Sequence, residues 1–179
     1  MSQQHRFGGN DQHYEQRYEA MTRVFRENPD AALWLTWANK ALTIIGYVAY
    51  PLLLVFVAIA GAWVDLAKFI VVPAIGFAVL SVFRKLYNAP RPYEVFAIEP
   101  LIQKDTIGKS FPSRHTFSMM MIACSWLAWN LLVGIVLVVC ACAMACIRVI
   151  GGVHLPRDVA AGAAFAVLCA LVGYVLIPW

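Results

Sequence analysis

The sequence predicts an all-α membrane protein, a polytopic bundle of about five transmembrane helices with an interfacial helix before it. Of the 179 residues, 61% are hydrophobic and 13% are charged, which is about half the charged share of an average soluble domain. Several apolar runs approach the roughly 20 residues that a helix needs to cross a hydrocarbon core. A soluble core of this length cannot bury so much apolar surface, so the lipid bilayer is the expected solvent.

The chain is predicted to divide into a polar N-terminal segment, residues 1–40, and a transmembrane domain, residues 41–179. The polar start argues against a cleavable signal peptide, and residues 1–12 are expected to be irregular. Residues 14–27 show helical periodicity. This helix lies either on the membrane surface or on loops of the same protein, and the sequence does not choose between them. Its apolar face consists of Tyr14, Tyr18, Met21 and Phe25.

The stretch Asn28-Pro29-Asp30 ends this helix, and Asp30 is expected to cap the next one. Pro51 and Pro73 lie inside the first two spans, where proline is tolerated and should kink the helix. The third and fourth spans are joined by little more than Asn130, which predicts a tight antiparallel hairpin. The five predicted spans lie near residues 41–63, 66–83, 113–129, 131–147 and 157–178.

Tryptophan positions support the count of five. Tryptophan favours the membrane–water interface. Trp63, Trp129 and Trp179 end the first, third and fifth spans, so an odd number of spans places all three on one face. Trp34 and Trp37 precede the first span and belong to the other face.

This topology places nearly all of the positive charge on one face of the membrane. The loops at 84–112 and 148–156 open on the same face as the N-terminal segment, and every Lys and Arg except Lys68 lies there. One face of the protein is therefore predicted to hold anions. Nucleic acid is not an expected partner, because no domain outside the membrane is large enough to present a basic surface.

The cysteines and loop carboxylates do not predict a metal site. All five cysteines fall inside apolar runs, where they are expected to pack as small core residues. Glu94, Glu99 and Asp105 do not form a ligand-like cluster. We expect no metal and no cofactor.

The stretch from Arg148 to Asp158 is the first candidate for chemistry. Pro156 suits the first turn of a helix, which places Asp158 in that turn. A carboxylate there is favoured by the helix dipole and can reach the imidazole of His154. Such a bond fixes the tautomer and leaves the other ring nitrogen free as a nucleophile. The alternative is a structural His–Asp pair that only caps the last span.

The stretch Ser113-Arg114-His115 opens the third span, where free backbone N–H groups attract anions. A guanidinium beside a hydroxyl in that position suits a phosphate. Taken alone, His115 has an alternative interpretation as a helix-start residue that is hydrogen-bonded to a neighbouring loop. A second histidine on the same face, His154, makes that alternative weaker.

The stretch from Arg84 to Pro92 supplies further cations. Arg91 lies between two prolines, so its backbone has little freedom, and its guanidinium offers a fork of donors that matches phosphate oxygens. Arg84 and Lys85 are alternatively ordinary positive residues that flank a span.

The three stretches, taken in their order along the chain, resemble the signature motifs of the type 2 phosphatidic acid phosphatase superfamily. The resemblance covers roughly residues 66–178. The superfamily signature is K-x-x-x-x-x-x-R-P, then P-S-G-H, then S-R-x-x-x-x-x-H-x-x-x-D. The order and internal spacing are matched by Arg91-Pro92, Pro112-Ser113-x-His115 and Arg148-x-x-x-x-x-His154-x-x-x-Asp158.

Three positions depart from the signature. The leading lysine position falls on Arg84, with Lys85 one residue out of register. Arg114 replaces the glycine before the histidine, and Ile147 replaces the serine before the arginine. None of the three removes a residue that the mechanism requires.

The resemblance implies a role for each motif residue. His154 would form a phospho-histidine intermediate, Asp158 would orient it, and His115 would protonate the leaving oxygen and then activate water. The substrate phosphate would be held by Arg84 or Lys85, Arg91, Ser113, Arg114 and Arg148.

The implied function is hydrolysis of a lipid phosphate in the cell membrane, with phosphatidate, phosphatidylglycerophosphate and polyprenyl diphosphate as family substrates. Apolar residues in the loop 93–111 suggest an interface-dipping lid. A lipid phosphotransferase would use the same residues. A phosphate-binding or transport protein is a further alternative, although a transporter would usually show repeated halves. The vanadate-dependent haloperoxidases share the motifs but are soluble, so the five predicted spans argue strongly against them.

Two further properties stay open from the sequence. A homo-oligomer is compatible with it. The positive-inside rule places the N-terminus and the active face in the cytoplasm, whereas most bacterial relatives are thought to act on the outer side.

Overall fold

Helices are the only regular elements in the part of the chain that the computed structural model describes, residues 10–104 and 106–179. The predicted all-α bundle is confirmed. Most of the predicted irregular stretch at 1–12 and Asp105 lie outside the described residues. In order the helices are α1 (Asn10–Glu27), α2 (Pro29–Ile59), α3 (Trp63–Tyr87), the single turn α4 (Pro92–Val95), α5 (Arg114–Trp129), α6 (Leu131–Ile150) and α7 (Pro156–Ala170), and α7 continues as a π-helical turn, Leu171–Leu176.

The chain is a multi-pass membrane protein. Among the described residues, four helical segments are long and apolar enough to cross a membrane: Pro29–Ile59, Trp63–Val95, Leu131–Ile150 and Pro156–Leu176. The third predicted span, residues 113–129, corresponds to α5, whose 16 residues extend about 24 Å, less than a hydrocarbon core of about 30 Å. Helix α5 packs against α2, α3, α6 and α7, so it is a short central helix enclosed by longer ones.

The start of α2 corrects one prediction. The helix begins at Pro29, and the residue that caps it is Asn28, whose Oδ1 accepts a hydrogen bond from the backbone N of Asp30 at 3.0 Å. Asp30 therefore belongs to the first turn and is not the cap. Asparagine at the cap followed by proline is a favoured helix start. Because α2 then runs without a break to Ile59, the predicted division after residue 40 lies inside a helix.

Other helix boundaries differ less. Trp63 begins α3 and does not end the first span, because Gly61, with φ of 71°, turns the chain before it. Pro51 and Pro73 lie inside α2 and α3 as predicted. Asn130 alone joins α5 to α6, so the predicted hairpin is present.

Helix α1 packs on the protein's own loops, the second of the two arrangements considered for it. Tyr18 and Thr22 are buried, whereas Met21, predicted on the apolar face, is 40% exposed. The ring of Tyr14 packs at a tilt against Phe96 of the loop after α4, with centroids 4.3 Å apart. The helix therefore contributes to the domain and is not free to lie away from it.

Small residues bring the helices together, as is typical of membrane bundles. A Cβ on Gly134 of α6 would lie 2.5 Å from the backbone N of Leu127, and one on Gly162 of α7 would lie 2.5 Å from the carbonyl oxygen of Ser113. The contact at Gly162 brings the start of α7 against the start of α5. The core around these contacts includes Leu53, Val57, Phe69, Phe117, Met121, Ala123, Trp126, Leu137, Met144 and Ala166.

The cysteines fit the prediction only in part. All five are free thiols, and Cys124, Cys140 and Cys169 are half-buried. Cys142 and Cys146 are exposed on the outer surface of α6, so they are not core residues.

Candidate active site

The three motifs meet where α3 and α6 end and where α5 and α7 begin. The backbone N of Ser113 donates to the carbonyl oxygen of Asp158 at 2.8 Å, which ties the second motif to the third. Nη1 of Arg91 donates to the carbonyl oxygen of Val153 at 3.2 Å, which ties the first motif to the third. Stretches that are far apart in the sequence are thus joined by direct hydrogen bonds.

His154 and Asp158 form the predicted pair. Nδ1 of His154 lies 3.5 Å from Oδ2 of Asp158, and both side chains are almost fully buried. Pro156 starts α7, so Asp158 lies in the first turn and its Oδ2 also accepts from the backbone N of Leu155 at 3.1 Å. Because these contacts occupy Nδ1, Nε2 of His154 is the ring nitrogen left for chemistry.

Burial controls the protonation of His154, which lies in the turn between α6 and α7. It lowers the pKa of the imidazole to about 4, even though the hydrogen bond to Asp158 raises it, and the positive charge of Arg148 lowers it further. An unperturbed histidine titrates near 6.5. The ring is therefore neutral at neutral pH, which is the form that acts as a nucleophile.

Arg148 is the least satisfied charge in the described part of the chain. It is 2% exposed, and its Nη1 reaches only Oδ1 of Asn39 at a long 3.4 Å. Within the described residues, Nε and Nη2 have no hydrogen-bond partner. Burying unpaired donors on a charged group is costly, and an acceptor from outside the chain would remove that cost.

Arg84 and Arg91 hold the loop between α4 and α5. Arg84 is buried and donates to the carbonyl oxygen of Ser110 at 3.0 Å, and also to those of Lys109 and Pro112. Nε of Arg91 donates to the carbonyl oxygen of Gly108 at 3.1 Å. Since carbonyl groups occupy these donors, much of the work of both arginines is to shape the loop.

Lys85 does not belong to the group of buried cations at the site. Its side chain is exposed, whereas Arg84 is buried at the site. The structure therefore brings Arg84 into the site and leaves Lys85 on the surface.

The second motif opens α5. Ser113 is fully buried, and its Oγ accepts from Oγ1 of Thr116 at 3.1 Å. Arg114 is exposed, and its guanidinium lies 5.9 Å from the centre of the Phe77 ring. His115 is half-buried and lines a cavity of about 330 Å³ together with Arg114. This cavity gives His115 and Arg114 space in which to meet a ligand.

The sequence matches the PAP2 superfamily over residues 49–179. This chain belongs to the PAP2 superfamily. Two solved structures share its fold. LpxE from Aquifex aeolicus is 22% identical, with a TM-score of 0.69, over 89% of this chain and 93% of that one. A transmembrane PAP2 type phosphatidylglycerolphosphate phosphatase from Bacillus subtilis is 20% identical, with a TM-score of 0.56, over 90% of this chain and 85% of that one. Among curated proteins, none matches significantly.

Three residues of this PAP2 site were not predicted. Ser110 donates from Oγ to Oδ2 of Asp158 at 2.5 Å and lies 3.3 Å from Nδ1 of His154. Asn39, on α2, contacts Arg148 across 109 positions of sequence. Neither position belongs to a motif, so only the fold reveals them.

Lys104 is the third of these residues. Burial, and then the positive charges of Arg148 and Arg91, lower the pKa of its ammonium group to about 8. Its loop lies against the turn before His154, because the backbone N of Ile102 donates to the carbonyl oxygen of Gly151 at 3.1 Å. In the sequence, Lys104 is only one more lysine in a loop that is already basic, so nothing distinguished it as a site residue.

The loop carboxylates of this PAP2 chain have local partners. Oε2 of Glu94 accepts from the backbone N of Arg91 at 2.7 Å and from that of Gly108 at 2.8 Å. Glu99 pairs with Arg26 at 3.3 Å. Across residues 10–104 and 106–179, no three His, Cys, Asp or Glu side chains come close enough together to hold a metal ion.

Proposed function

We propose that this chain is a lipid phosphate phosphatase that uses a phospho-histidine intermediate and needs no metal. The observation that carries this proposal is the neutral, buried His154, held through Nδ1 by Asp158, beside the unpaired donors of Arg148. A structural His–Asp pair would not need a buried guanidinium with two free donors next to it. Membership of the PAP2 superfamily supports the same reaction class.

In the first step, the lone pair of Nε2 on His154 attacks the phosphorus atom in line with the leaving oxygen. The P–N bond forms as the P–O ester bond breaks, and His115 gives a proton to the leaving oxygen. Burial and then the positive charge of Arg148 lower the pKa of the unliganded imidazole to about 3, so we propose that His115 takes up this proton when the anionic phosphate binds. The ring of His154 gains positive charge during this step. The carboxylate of Asp158, 3.5 Å from Nδ1, stabilises that charge.

In the second step, His115 takes a proton from a water molecule whose oxygen attacks the phosphorus atom. The P–N bond breaks, inorganic phosphate leaves, and His154 returns to its neutral form. Both steps place negative charge on the three equatorial oxygens, where positioned donors lower the barrier most.

The phosphate would be held by groups with different environments. Nε and Nη2 of Arg148 offer free donors deep in the site. Arg114 offers an exposed guanidinium at the mouth, and Lys104 adds a half-buried positive charge. The set that we propose to contact phosphate is Arg84, Arg91, Ser113, Arg114 and Arg148, with Lys104 added to it.

A groove supports a lipid as the substrate. The cavity beside His115 adjoins a second one of about 460 Å³, and the two share Gly46, Tyr47, Phe77, Ser118 and Ile122. From Arg114 to Ile122 along α5 the groove extends about 12 Å into the bundle. An acyl or isoprenoid chain can lie there while its phosphate reaches the histidines. In this proposal the loop after α4 also covers the site as a lid.

The test is phosphate release by purified protein in detergent from phosphatidate, phosphatidylglycerophosphate and a polyprenyl diphosphate, with EDTA present. We expect activity on at least one of them. His154→Ala should abolish it and His115→Ala should lower it strongly. His13→Ala, which changes an exposed histidine of α1, is the matched control and should retain full activity.

Three results would contradict the proposal. Full activity in His154→Ala excludes the phospho-histidine mechanism, and restoration by Mg²⁺ after EDTA treatment excludes metal independence. Phosphorylated lipid appearing in place of inorganic phosphate would identify a phosphotransferase.

Labelling single cysteines placed at residues 8 and 130 in intact cells decides which face of the membrane carries the site.

A further inference from the structure

Helix α1 lies outside the part of the chain that matches the PAP2 superfamily, yet it contacts the segment that carries His154. Tyr18 is 2% exposed, and its hydroxyl donates to the carbonyl oxygen of Ile150 at 3.2 Å. Ile150 is the last residue of α6, and the turn at 151–154 follows it directly and ends in His154. Tyr18 is therefore bonded to the point from which this turn starts.

Gly152 in the turn also depends on Tyr18. Its φ of 73° is a conformation that glycine adopts readily and other residues rarely do. A Cβ at this position would lie only 2.4 Å from the hydroxyl oxygen of Tyr18. The phenol thus closes directly on the backbone of the turn, and no side chain fits between them.

The same helix also holds the loop that packs on the turn. Oε1 of Glu15 accepts from the backbone N of Ala97 at 2.8 Å. Nη2 of Arg26 donates to the carbonyl oxygen of Glu99 at 2.5 Å. These bonds fix the loop near residues 96–99 against α1.

That loop then packs on the turn itself. The backbone N of Ile102 donates to the carbonyl oxygen of Gly151 at 3.1 Å. The Cα of Pro100 lies 3.1 Å from the position of a Cβ on Gly152. Both this loop and Tyr18 therefore contact the turn, and α1 anchors both.

We propose that Tyr18 is a positioning residue for the reaction, which makes α1 a working part of the active site. This rests on the proposed function, in which Nε2 of His154 is the nucleophile. The turn sets where that nitrogen stands relative to Arg148, because the backbone N of His154 donates to the carbonyl oxygen of Arg148 at 3.2 Å. A misplacement of about 1 Å in a catalytic group lowers a rate about 100-fold.

The first test is Tyr18→Phe, which keeps the ring over Gly152 and removes the hydrogen bond to Ile150. We expect kcat to fall about fivefold to tenfold, the size of one neutral hydrogen bond, while KM stays unchanged. Tyr14→Phe is the matched control, one turn earlier on α1. Its hydroxyl is buried with no hydrogen-bond partner in the described part of the chain, so kcat should not change.

The second test is a double-mutant cycle with Gly152→Ala, which adds a methyl group against the same hydroxyl. The strain of the positive φ is common to both backgrounds and cancels in the cycle. If Tyr18 positions the turn, Gly152→Ala should lower kcat by a smaller factor in the Tyr18→Phe background than in the wild type. Additive effects on kcat would overturn the proposal.

A purely structural role predicts a different pattern. Tyr18→Phe would then lower the unfolding temperature in detergent but leave kcat at the wild-type value, and that result overturns the positioning role alone. A wild-type chain that releases no phosphate, or an active His154→Ala variant, overturns the proposed function and the role of Tyr18 with it.

Discussion

Ser110 donates a 2.5 Å hydrogen bond to Oδ2 of Asp158, the same oxygen that lies 3.5 Å from Nδ1 of His154. Its hydroxyl oxygen is also 3.3 Å from that ring nitrogen. Ser110 is held in turn by Arg84, which donates to its carbonyl oxygen at 3.0 Å. The histidine ring is therefore oriented by a network that extends through the loop to the end of α3.

Ser110→Ala should lower kcat about tenfold or more, because a hydrogen bond to a charged group is worth roughly 1.5–3 kcal/mol. KM should change little, since Ser110 does not face the substrate in the proposed mechanism. Steady-state kinetics on the best lipid phosphate measures both. Ser125→Ala is the control, because Ser125 is equally buried and bonds Tyr174 at 2.7 Å in the middle of the bundle. An equal loss of kcat in both variants would contradict a specific role for Ser110.

Arg148→Met should separate stability from activity. It removes a buried charge with two unpaired donors, so the unliganded protein should unfold at the same temperature or a higher one. Activity should fall on the order of 100-fold to 1,000-fold, as when an oxyanion donor is lost.

Orthovanadate or inorganic phosphate provides a second measurement on Arg148. Either ligand should raise the unfolding temperature of the wild type by binding the folded state, and this rise should be absent in Arg148→Met. Arg17→Met, on the exposed side of α1, should behave as wild type in every measurement. A large loss of stability in Arg148→Met would show that Arg148 is a structural residue.

The pH profile tests the state of His154. Burial lowers its pKa to about 4, so the nucleophile is neutral above that pH and becomes protonated as the pH falls through it. We expect the acid limb of kcat/KM near pH 4, well below the 6.5 of an ordinary histidine. Returning samples to pH 7 before assay controls for denaturation. An acid limb near 6.5 would mean that His154 is open to water.

Gly162→Ala should damage both the fold and the site. The added Cβ would lie 2.5 Å from the carbonyl oxygen of Ser113, so α7 or the start of α5 must shift, at a cost of about 1–3 kcal/mol. Thermal inactivation in detergent should occur at a lower temperature, and kcat should fall because Ser113 and His115 move. Ala160→Val adds bulk to an exposed position of the same helix and should leave both quantities unchanged.

Much of the fold could be predicted because the bilayer imposes simple rules. Long apolar runs had to become helices, since only helices satisfy their own backbone hydrogen bonds in lipid. The sequence marks the start of α2 to within two residues, because Asn28-Pro29-Asp30 is a helix-start signal, although the cap is Asn28 and not Asp30. Residues 29–40, assigned to the polar N-terminal segment, form the first part of that helix. Their helix is supported by the Asn28 cap and by Leu35, which is buried against the bundle.

The site was predictable where spacing across a helix start decides the contact. Asp158 lies four positions after His154, and the proline between them starts the helix, so their meeting follows from local geometry. Asn39 and Arg148 meet only because α2 packs beside α6, and no local pattern encodes that distance.

The sequence by itself determined that this is a membrane bundle, which three stretches are the candidates for its chemistry, and which histidine lies beside an aspartate. Those features depend on composition and on contacts within a few residues, where chain geometry leaves few choices. Tertiary structure decided that Arg84 and not Lys85 enters the site, that Ser110 completes the His154 pair, and that Tyr18 closes over the turn. Each of these depends on which buried donors find acceptors when separate helices pack, and that is settled only when the whole bundle has formed.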